Sequence, residues 1–245
     1  MWTLAMLASL AIAGADSVTA GPFKVDSIYH GTLRLTHGDT VLWVDPWTKA
    51  PLPDAPKADL LLLTDLHFDH LDEAGIAKVA KADTKVVGPR AVADKRKEAG
   101  HSVDHVLANG ESVELAGVRI TATPMYNLER GPEPGTLFHE KGRGNGYLLE
   151  SAGTRIYLAG DTACTDEMKA LTDIDLALLP MNLPYTMPLD EAAACVNAFQ
   201  PKVVYPYHHR GQDPNAFAAQ VKGPEVRILD WYPKVGDVTG EGDEG

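Results

Sequence analysis

The densest set of metal-capable side chains in the sequence follows an apolar run that ends at residue 64. Four of them stand within six positions: Asp65, His67, Asp69 and His70. Carboxylate oxygen and imidazole nitrogen are the usual protein ligands of zinc and similar divalent ions. If the chain continues as a strand, residues 65, 67 and 69 share one face, and a turn then brings residue 70 alongside. We therefore predict a metal centre here, rather than a solvated loop whose aspartates cap the next helix.

Two later apolar strands also end in metal-capable residues. The strand over residues 155–159 leads into Asp161, and the strand over residues 203–207 is followed by His208 and His209. Each signal is weak alone, because Gly-Asp is common in turns and paired histidines usually lie at the surface. Adjacent strand residues face opposite sides, so only one of the two histidines can join the site while the strand lasts. The shared position at strand ends indicates that all three segments meet at one centre.

A fourth segment, residues 123–146, is rich in glycine and polar residues. It contributes Asn127, His139, Lys141 and Arg143. Its glycines resemble a phosphate-binding loop, but no helix follows as such a loop requires, so a glycine-rich hairpin is the better interpretation. Lys141 and Arg143 are candidates for contact with an anionic substrate.

Composition narrows the classes of partner. The 245 residues carry a net charge of −12, with 44% apolar and 23% charged residues. Such acidity argues against nucleic acid and anionic membranes, both of which bind clustered Lys and Arg. We expect a small-molecule substrate. Cys164 and Cys195 are the two cysteines; they either form a disulfide or are small core residues, and spacing alone does not decide between these.

The N-terminal segment is predicted to be a signal peptide. Residues 4–15 are apolar, too short a run to span a bilayer, and small residues at 13–15 and 18–20 offer cleavage sites. The segment has no Lys or Arg, which is unusual for a signal. We predict residues 1–20 as the signal peptide, a mature chain that starts near Asp16 or Gly21, a periplasmic or secreted location, and no stable membrane insertion after removal of the signal.

The remaining pattern predicts one domain. Strands are predicted at residues 24–30, 32–36, 41–45, 58–64, 85–87, 112–115, 118–125, 147–151, 155–159, 174–179, 203–207 and 226–231, and helices at 71–82, 91–99, 166–171, 190–199 and 214–221. Strands and helices interleave, but the first and middle thirds contain too many hairpins for a doubly wound sheet. We predict an α/β (α+β) fold, a four-layer αββα sandwich of two mixed sheets over residues 21–235, with a flexible acidic tail at 236–245.

The order Asp-x-His-x-Asp-His, Gly-Asp-Thr and a strand-end His resembles that of the metallo-β-lactamase superfamily, whose first motif reads His-x-His-x-Asp-His. The stretches "KADLLLLTDLHFDHLD", "KGRGNGYLLE", "GDTACTDEM" and "VVYPYHHRG" are similar to a group of bacterial, often exported metallo-hydrolases of this fold. Looser neighbours include the L-ascorbate-6-phosphate lactonase and N-acyl phosphatidylethanolamine phospholipase D types. The resemblance covers residues 24–232.

The resemblance implies a site for two divalent ions per chain, zinc before manganese or iron. Its ligands would be Asp65 and His67 for the first ion, Asp69, His70 and His208 for the second, and Asp161 between both. A metal-bound hydroxide would attack an ester, lactone, amide or phosphodiester, with Asp69 and Asp161 as catalytic residues. Apart from the resemblance, we predict that Asn127, His139, Arg143, Tyr185 and Arg210 contact the substrate.

Two departures from the family pattern affect the first ion. Asp65 replaces a histidine, and Asn127 stands about where the third histidine of that ion belongs; His139 is the other residue that could complete the ligand set. The third carboxylate would leave the centre near +1, a weaker Lewis acid that tolerates manganese or iron. Two alternatives therefore stay open: a di-iron redox protein on the same fold, and a metal-binding module without catalysis.

Overall fold

The computed structural model describes residues 17–54 and 56–233, which form two seven-stranded sheets. The strands of the first sheet are β1 (Ser17–Ala20), β2 (Phe23–Tyr29), β3 (Thr32–His37), β4 (Thr40–Val44), β5 (Leu60–Leu62), β6 (Lys85–Gly88) and β7 (His105–Val106). They lie side by side in chain order. The pairs from β1 to β4 are antiparallel and those from β4 to β7 are parallel.

The second sheet repeats this design. Its strands are β8 (Ser112–Leu115), β9 (Val118–Met125), β10 (Gly144–Ser151), β11 (Thr154–Leu158), β12 (Leu176–Pro180), β13 (Val203–Tyr207) and β14 (Glu225–Val226). The pairs from β8 to β11 are antiparallel and those from β11 to β14 are parallel. Each sheet therefore has a parallel half, and three strands of these halves, β5, β11 and β13, end one to three residues before a candidate metal ligand.

Five helices complete the described elements: α1 (Glu73–Val79), α2 (Arg90–Glu98), α3 (Asp166–Lys169), α4 (Leu189–Phe199) and α5 (Pro214–Ala218). Buried side chains form three apolar layers. Leu62 and Leu149 belong to the layer between the sheets, whereas their neighbours Leu61 and Leu148 pack in the outer layers with the helices. This alternation is what a strand covered on both faces requires. The four-layer sandwich predicted from the sequence is confirmed.

Several element boundaries differ from the prediction, and β1 and β7 were not predicted. β5 ends at Leu62, not at residue 64, because the backbone N–H of Thr64 donates to the carboxylate of Asp45 at 2.9 Å. α1 begins at Glu73 because the side chain of Asp72 caps it. The last strand is two residues long rather than six. Residues 65, 67 and 69 therefore do not share the face of a strand, and the proposed reason for their proximity was wrong.

Cys164 and Cys195 form a disulfide, with their Cα atoms 5.6 Å apart, which joins the start of α3 to α4. Within the described residues no helix is long and apolar enough to cross a membrane. The predicted acidic tail and residues 1–16 of the predicted signal peptide lie outside the described residues, whereas residues 17–20 form β1 and pair with β2.

Candidate metal centre

Polar loops that follow the strands bring histidine and aspartate side chains together at one edge of both sheets. Three sets of side chains have ligand atoms within 4.8 Å of one another: Asp65, His67 and His139; His70, Asp161 and His208; and His30, Asp69 and His208. We call Asp65, His67 and His139 the His67 group, and Asp69, His70 and His208 the His70 group. All six residues predicted as metal ligands lie in these sets, together with two residues that were not.

The His67 group is completed by His139, not by Asn127. Nδ1 of His67 lies 2.8 Å from Oδ2 of Asp65 and 3.1 Å from Nε2 of His139. The amide oxygen of Asn127 accepts hydrogen bonds from the backbone N–H and the ring Nδ1 of His139, each at 2.8 Å. Asn127 therefore holds the ring so that Nε2 faces Asp65. It positions a candidate ligand instead of being one.

The His70 group is supported from behind by Asp45. Oδ2 of Asp45 lies 2.8 Å from Nδ1 of His70, which leaves Nε2 directed at the group. Asp69 faces the two histidines, with Oδ2 3.7 Å from His70 Nε2 and 3.4 Å from His208 Nε2. A carboxylate behind a ligating histidine fixes its ring and raises the basicity of the facing nitrogen.

Asp161 lies between the two groups. Its Oδ2 is 3.5 Å from His139 Nε2 and 3.4 Å from His70 Nε2, and its Oδ1 is 3.6 Å from His208 Nε2. It enters the site because β11 ends at Leu158 and Gly160, with φ of +65°, turns the chain there. A single carboxylate thus reaches histidines of both groups.

Arg143 is not part of a pocket wall. Its Nη2 lies 3.0 Å from Oδ2 of Asp65, its Nε donates to Oδ1 at 3.2 Å, and Nη2 also donates to the carbonyl of Phe138 at 2.7 Å. Because the guanidinium offsets the charge of the extra carboxylate, the net charge of the centre is higher than the sequence led us to expect. An Asp65–Arg143 pair carries the same net charge as the neutral histidine of the family pattern.

Sequence reasoning missed His30 and Asp45. Nε2 of His30 lies 3.3 Å from Oδ2 of Asp69, and its ring centroid is 3.7 Å from that of His208. His30 directly follows β2 and Asp45 directly follows β4. The signal used for the other segments, a polar residue at the end of an apolar strand, would have found both; the family motif does not include them.

The ionisation of these groups follows from burial and from their neighbours. Burial lowers the pKa of His139 to about 4, and burial together with His208 lowers that of His30 to about 4. Burial acts to raise the pKa of Asp161, but His208 and His70 outweigh it and hold the value below the usual range. Against its own burial, His70 has a pKa well above the ordinary value because Asp69 and Asp161 face it.

Several polar atoms at the centre are buried and lack hydrogen bonds within the described chain. They are Nε2 of His70, Nδ1 and Nε2 of His208, and Oδ1 of Asp161. Buried polar atoms rarely remain unpaired, since each one forfeits its interactions with water. Three of these atoms, all but Nδ1 of His208, lie near other nitrogen and carboxylate donors, so the residues fit one or more divalent cations.

Of the remaining predicted site residues, some line the cavity over the centre and others do not. A cavity of about 200 Å³ opens over the centre, and Tyr185, Arg210 and His139 line it. His209 instead packs its ring against Tyr232, with centroids 5.1 Å apart, so the two adjacent histidines point differently. Lys141 pairs with Glu167.

Comparison with known proteins decides the family. Residues 24–208 match the model of the beta-lactamase superfamily domain. The chain belongs to the β-lactamase superfamily. Within it, the chain is 32% identical over 223 residues to a UPF0173 metal-dependent hydrolase of Lysinibacillus sphaericus, which covers 84% of this chain and 97% of that protein. A UPF0173 metal-dependent hydrolase of Thermococcus onnurineus is 30% identical over 203 residues, covering 79% and 87%.

Solved structures share this fold. A candidate metal-dependent hydrolase from Parabacteroides distasonis superposes with a TM-score of 0.80 at 36% identity, over 89% of this chain and 99% of that one. CmlA, a diiron β-hydroxylase from Streptomyces venezuelae, gives a TM-score of 0.61 at 16% identity, over 83% of this chain and 48% of its own. The second likeness shows the fold alone.

Proposed function

We propose that this superfamily member is a metal-dependent hydrolase that holds two divalent ions, one in the His67 group and one in the His70 group. The position of Asp161 carries the proposal. Its two carboxylate oxygens lie 3.4–3.6 Å from one histidine of the His67 group and two of the His70 group. No other described carboxylate reaches ligands of both groups so evenly, and one of its oxygens is buried without a partner.

The reaction would be hydrolysis of an ester, lactone, amide or phosphodiester. Divalent ions held in such a site lower the pKa of ligated water and polarise the scissile bond. Asp69 lines the cavity and is the most exposed carboxylate of the centre, since its side chain is 15% exposed, against 4% for Asp161 and none for Asp65. We assign it the role of orienting the attacking water and accepting its proton.

We propose zinc as the native metal. Five imidazoles surround the centre, and nitrogen donors favour zinc over manganese. The pairing of Arg143 with Asp65 removes the reason to expect a harder ion, because that carboxylate no longer adds a net negative charge. Manganese and iron are the alternatives that elemental analysis distinguishes.

We also propose export to an oxidising compartment. The disulfide between Cys164 and Cys195 supports it, since such bonds persist outside the reducing cytosol. The pairing of residues 17–20 with β2 favours cleavage near Asp16 over cleavage after Ala20, because the later cut would remove an edge strand. N-terminal sequencing of the exported protein separates the two sites, and a retained residue 1 would contradict the proposal.

The test of the hydrolase combines metal analysis with a substrate panel. We expect about two ions per chain, and hydrolysis of an ester, lactone, amide or phosphodiester that chelation abolishes and zinc restores. Asp69→Asn should lower kcat by roughly a hundredfold or more, the size of a general-base contribution. Asp166→Asn is the matched control, because that side chain is 96% exposed. Full activity in the chelated protein would refute the metal-dependent mechanism.

A further inference from the structure

The cavity over the metal centre has walls that are unlike the rest of this acidic protein. Apart from the two ligand groups, His30 and Asp161, its lining consists of four aromatic residues, two cations and one amide: Trp47, Phe68, Phe138, Tyr185, Lys49, Arg210 and Asn182. Asp69 and Asp161 are the only acidic residues among the described residues of the lining, and both face the histidines. The lining beyond the centre is therefore cationic and aromatic, although the chain carries a net charge of −12.

The cations lie on the side of the His70 group. Arg210 is two residues beyond His208, and Lys49 is two residues beyond Trp47, whose ring lies 5.6 Å from that of His30. The ammonium of Lys49 lies 5.1 Å from the centroid of the Trp47 ring, and within the described chain no carboxylate is at ion-pair distance from it. An unpaired lysine at the mouth of a cavity is available to an anionic ligand.

The opposite side of the cavity, next to the His67 group, is aromatic. Phe138 directly precedes His139, and its ring meets that of Tyr185 edge to face, with centroids 4.9 Å apart. Tyr185 is 40% exposed although it is a large ring. On the cationic side, Phe68, 70% exposed, packs against Trp47 at the entrance. Exposed aromatic rings around a concave site provide contact area for a flat apolar ligand.

We propose that the substrate is a small ester, lactone or amide with an anionic group on one side of the scissile bond and an aromatic or other flat apolar group on the other. This rests on the proposed hydrolase function. The anionic group, a carboxylate or a phosphate-type oxyanion, lies against Lys49 and Arg210. The apolar group lies against Phe138 and Tyr185, and the scissile bond lies over Asp161. A volume of about 200 Å³ is below the usual range for drug-sized ligands, which restricts the substrate to a small molecule.

The test uses esters that differ in one group. Hydrolysis of benzyl 4-carboxybenzoate by water breaks the acyl C–O bond and gives terephthalate and benzyl alcohol. Benzyl 4-carbamoylbenzoate has the same shape without the charge, benzyl 4-phosphonobenzoate replaces the carboxylate, and butyl 4-carboxybenzoate removes the ring. The zinc-loaded protein should prefer the carboxylate or the phosphonate over the amide by roughly tenfold in kcat/KM, as two partly exposed ion pairs allow.

Variants assign the preference to the proposed residues. Lys49→Gln with Arg210→Gln should bring the ratio of carboxylate to amide kcat/KM close to one, while metal content stays unchanged. Lys97→Gln, on the outer helix α2, is the control for loss of a positive charge and should leave the ratio unchanged. Phe138→Leu should lower the preference for the benzyl over the butyl ester. A carboxylate-to-amide ratio that is one in the wild type, or unchanged in the double variant, overturns the proposal.

A binding measurement separates recognition from hydrolysis. The ethers 4-(benzyloxymethyl)benzoate and 4-(benzyloxymethyl)benzamide lack a scissile ester, and calorimetry reports their affinity for the zinc-loaded protein. If the carboxylate binds about tenfold more tightly and the double variant loses this difference, the recognition holds even where no ester is cleaved, and the proposed hydrolysis is what fails. Equal affinity of both ethers overturns the substrate class.

Discussion

The His67 group and the His70 group have similar ligands and opposite charges behind them. A guanidinium, that of Arg143, pairs with Asp65 of the first group at 3.0 Å. A carboxylate, that of Asp45, lies 2.8 Å from His70 of the second. In the first group, positive charge draws electron density from a ligand; in the second, negative charge increases it. We therefore expect the His70 group to hold its ion more tightly.

The two groups also differ in access to solvent. In the His67 group the side chain of His67 is 35% exposed and that of His139 is 1% exposed, whereas both histidines of the His70 group are 1% exposed. A buried ligand set excludes competing water, so the difference in exposure acts in the same direction as the difference in charge. The centre thus contains one position that binds its ion tightly and one whose ion exchanges more readily, with Asp161 common to both.

The largest expected effect comes from the residue that the two groups share. Asp161→Ala should leave less than half an ion per chain and reduce kcat by roughly a thousandfold or more, since loss of a bridging ligand affects both positions. Elemental analysis after gel filtration measures the metal, and Asp166→Ala is the exposed control. Retention of full stoichiometry would show that Asp161 does not bridge.

A smaller effect should follow when each group loses its supporting side chain. Asp45→Asn should weaken one zinc-binding step about ten- to a hundredfold, and Asn127→Leu should weaken the other by about tenfold. Zinc titration with a competing chelator resolves the two steps, and circular dichroism checks that each variant is folded. If both substitutions weaken the same zinc-binding step, the proposed difference between the His67 group and the His70 group is contradicted.

Proton release should distinguish the two groups further. Facing Asp69 and Asp161 raise the pKa of His70 well above 6.5, so in the metal-free protein at pH 7 this imidazole is protonated and an incoming ion must displace the proton. The apparent affinity of the His70 group for zinc should rise with pH, by up to about tenfold per pH unit, until the pH passes the pKa of His70. His139, with a pKa of about 4, is already neutral above pH 6.

Calorimetry in buffers of different ionisation enthalpy counts the released protons. We expect about one proton more for the step that Asp45→Asn weakens than for the step that Asn127→Leu weakens. Equal release in both steps would show that the opposite charges behind the groups do not alter the ionisation of their ligands.

The sequence predicted the fold better than it predicted the contacts among the side chains of the centre. The alternation of apolar residues along the strands was enough to predict the four layers, and polar residues at strand ends were enough to predict which segments meet. Both patterns follow from which side of a strand faces the core. The roles of Asn127 and Arg143 could not be predicted. They depend on how a long loop returns to the centre, and loop paths are not set by local periodicity. His30 and Asp45 carried the same strand-end signal and were overlooked.

The smallest expected effect concerns Asp65 and Arg143 together. In the wild type zinc should fill the centre in two separated steps. Asp65→His alone adds a nitrogen ligand but leaves the guanidinium of Arg143 without its carboxylate next to a cation, so it should change the weaker step little. Adding Arg143→Gln removes that repulsion, and the double variant should bring the two steps closer.

The coupling between the substitutions should be about 1 kcal/mol, or roughly fivefold in affinity. Zinc titration of the wild type, both single variants and the double variant measures it. If Asp65→His alone merges the two steps, Arg143 does not offset the charge of Asp65, and the two groups differ for another reason.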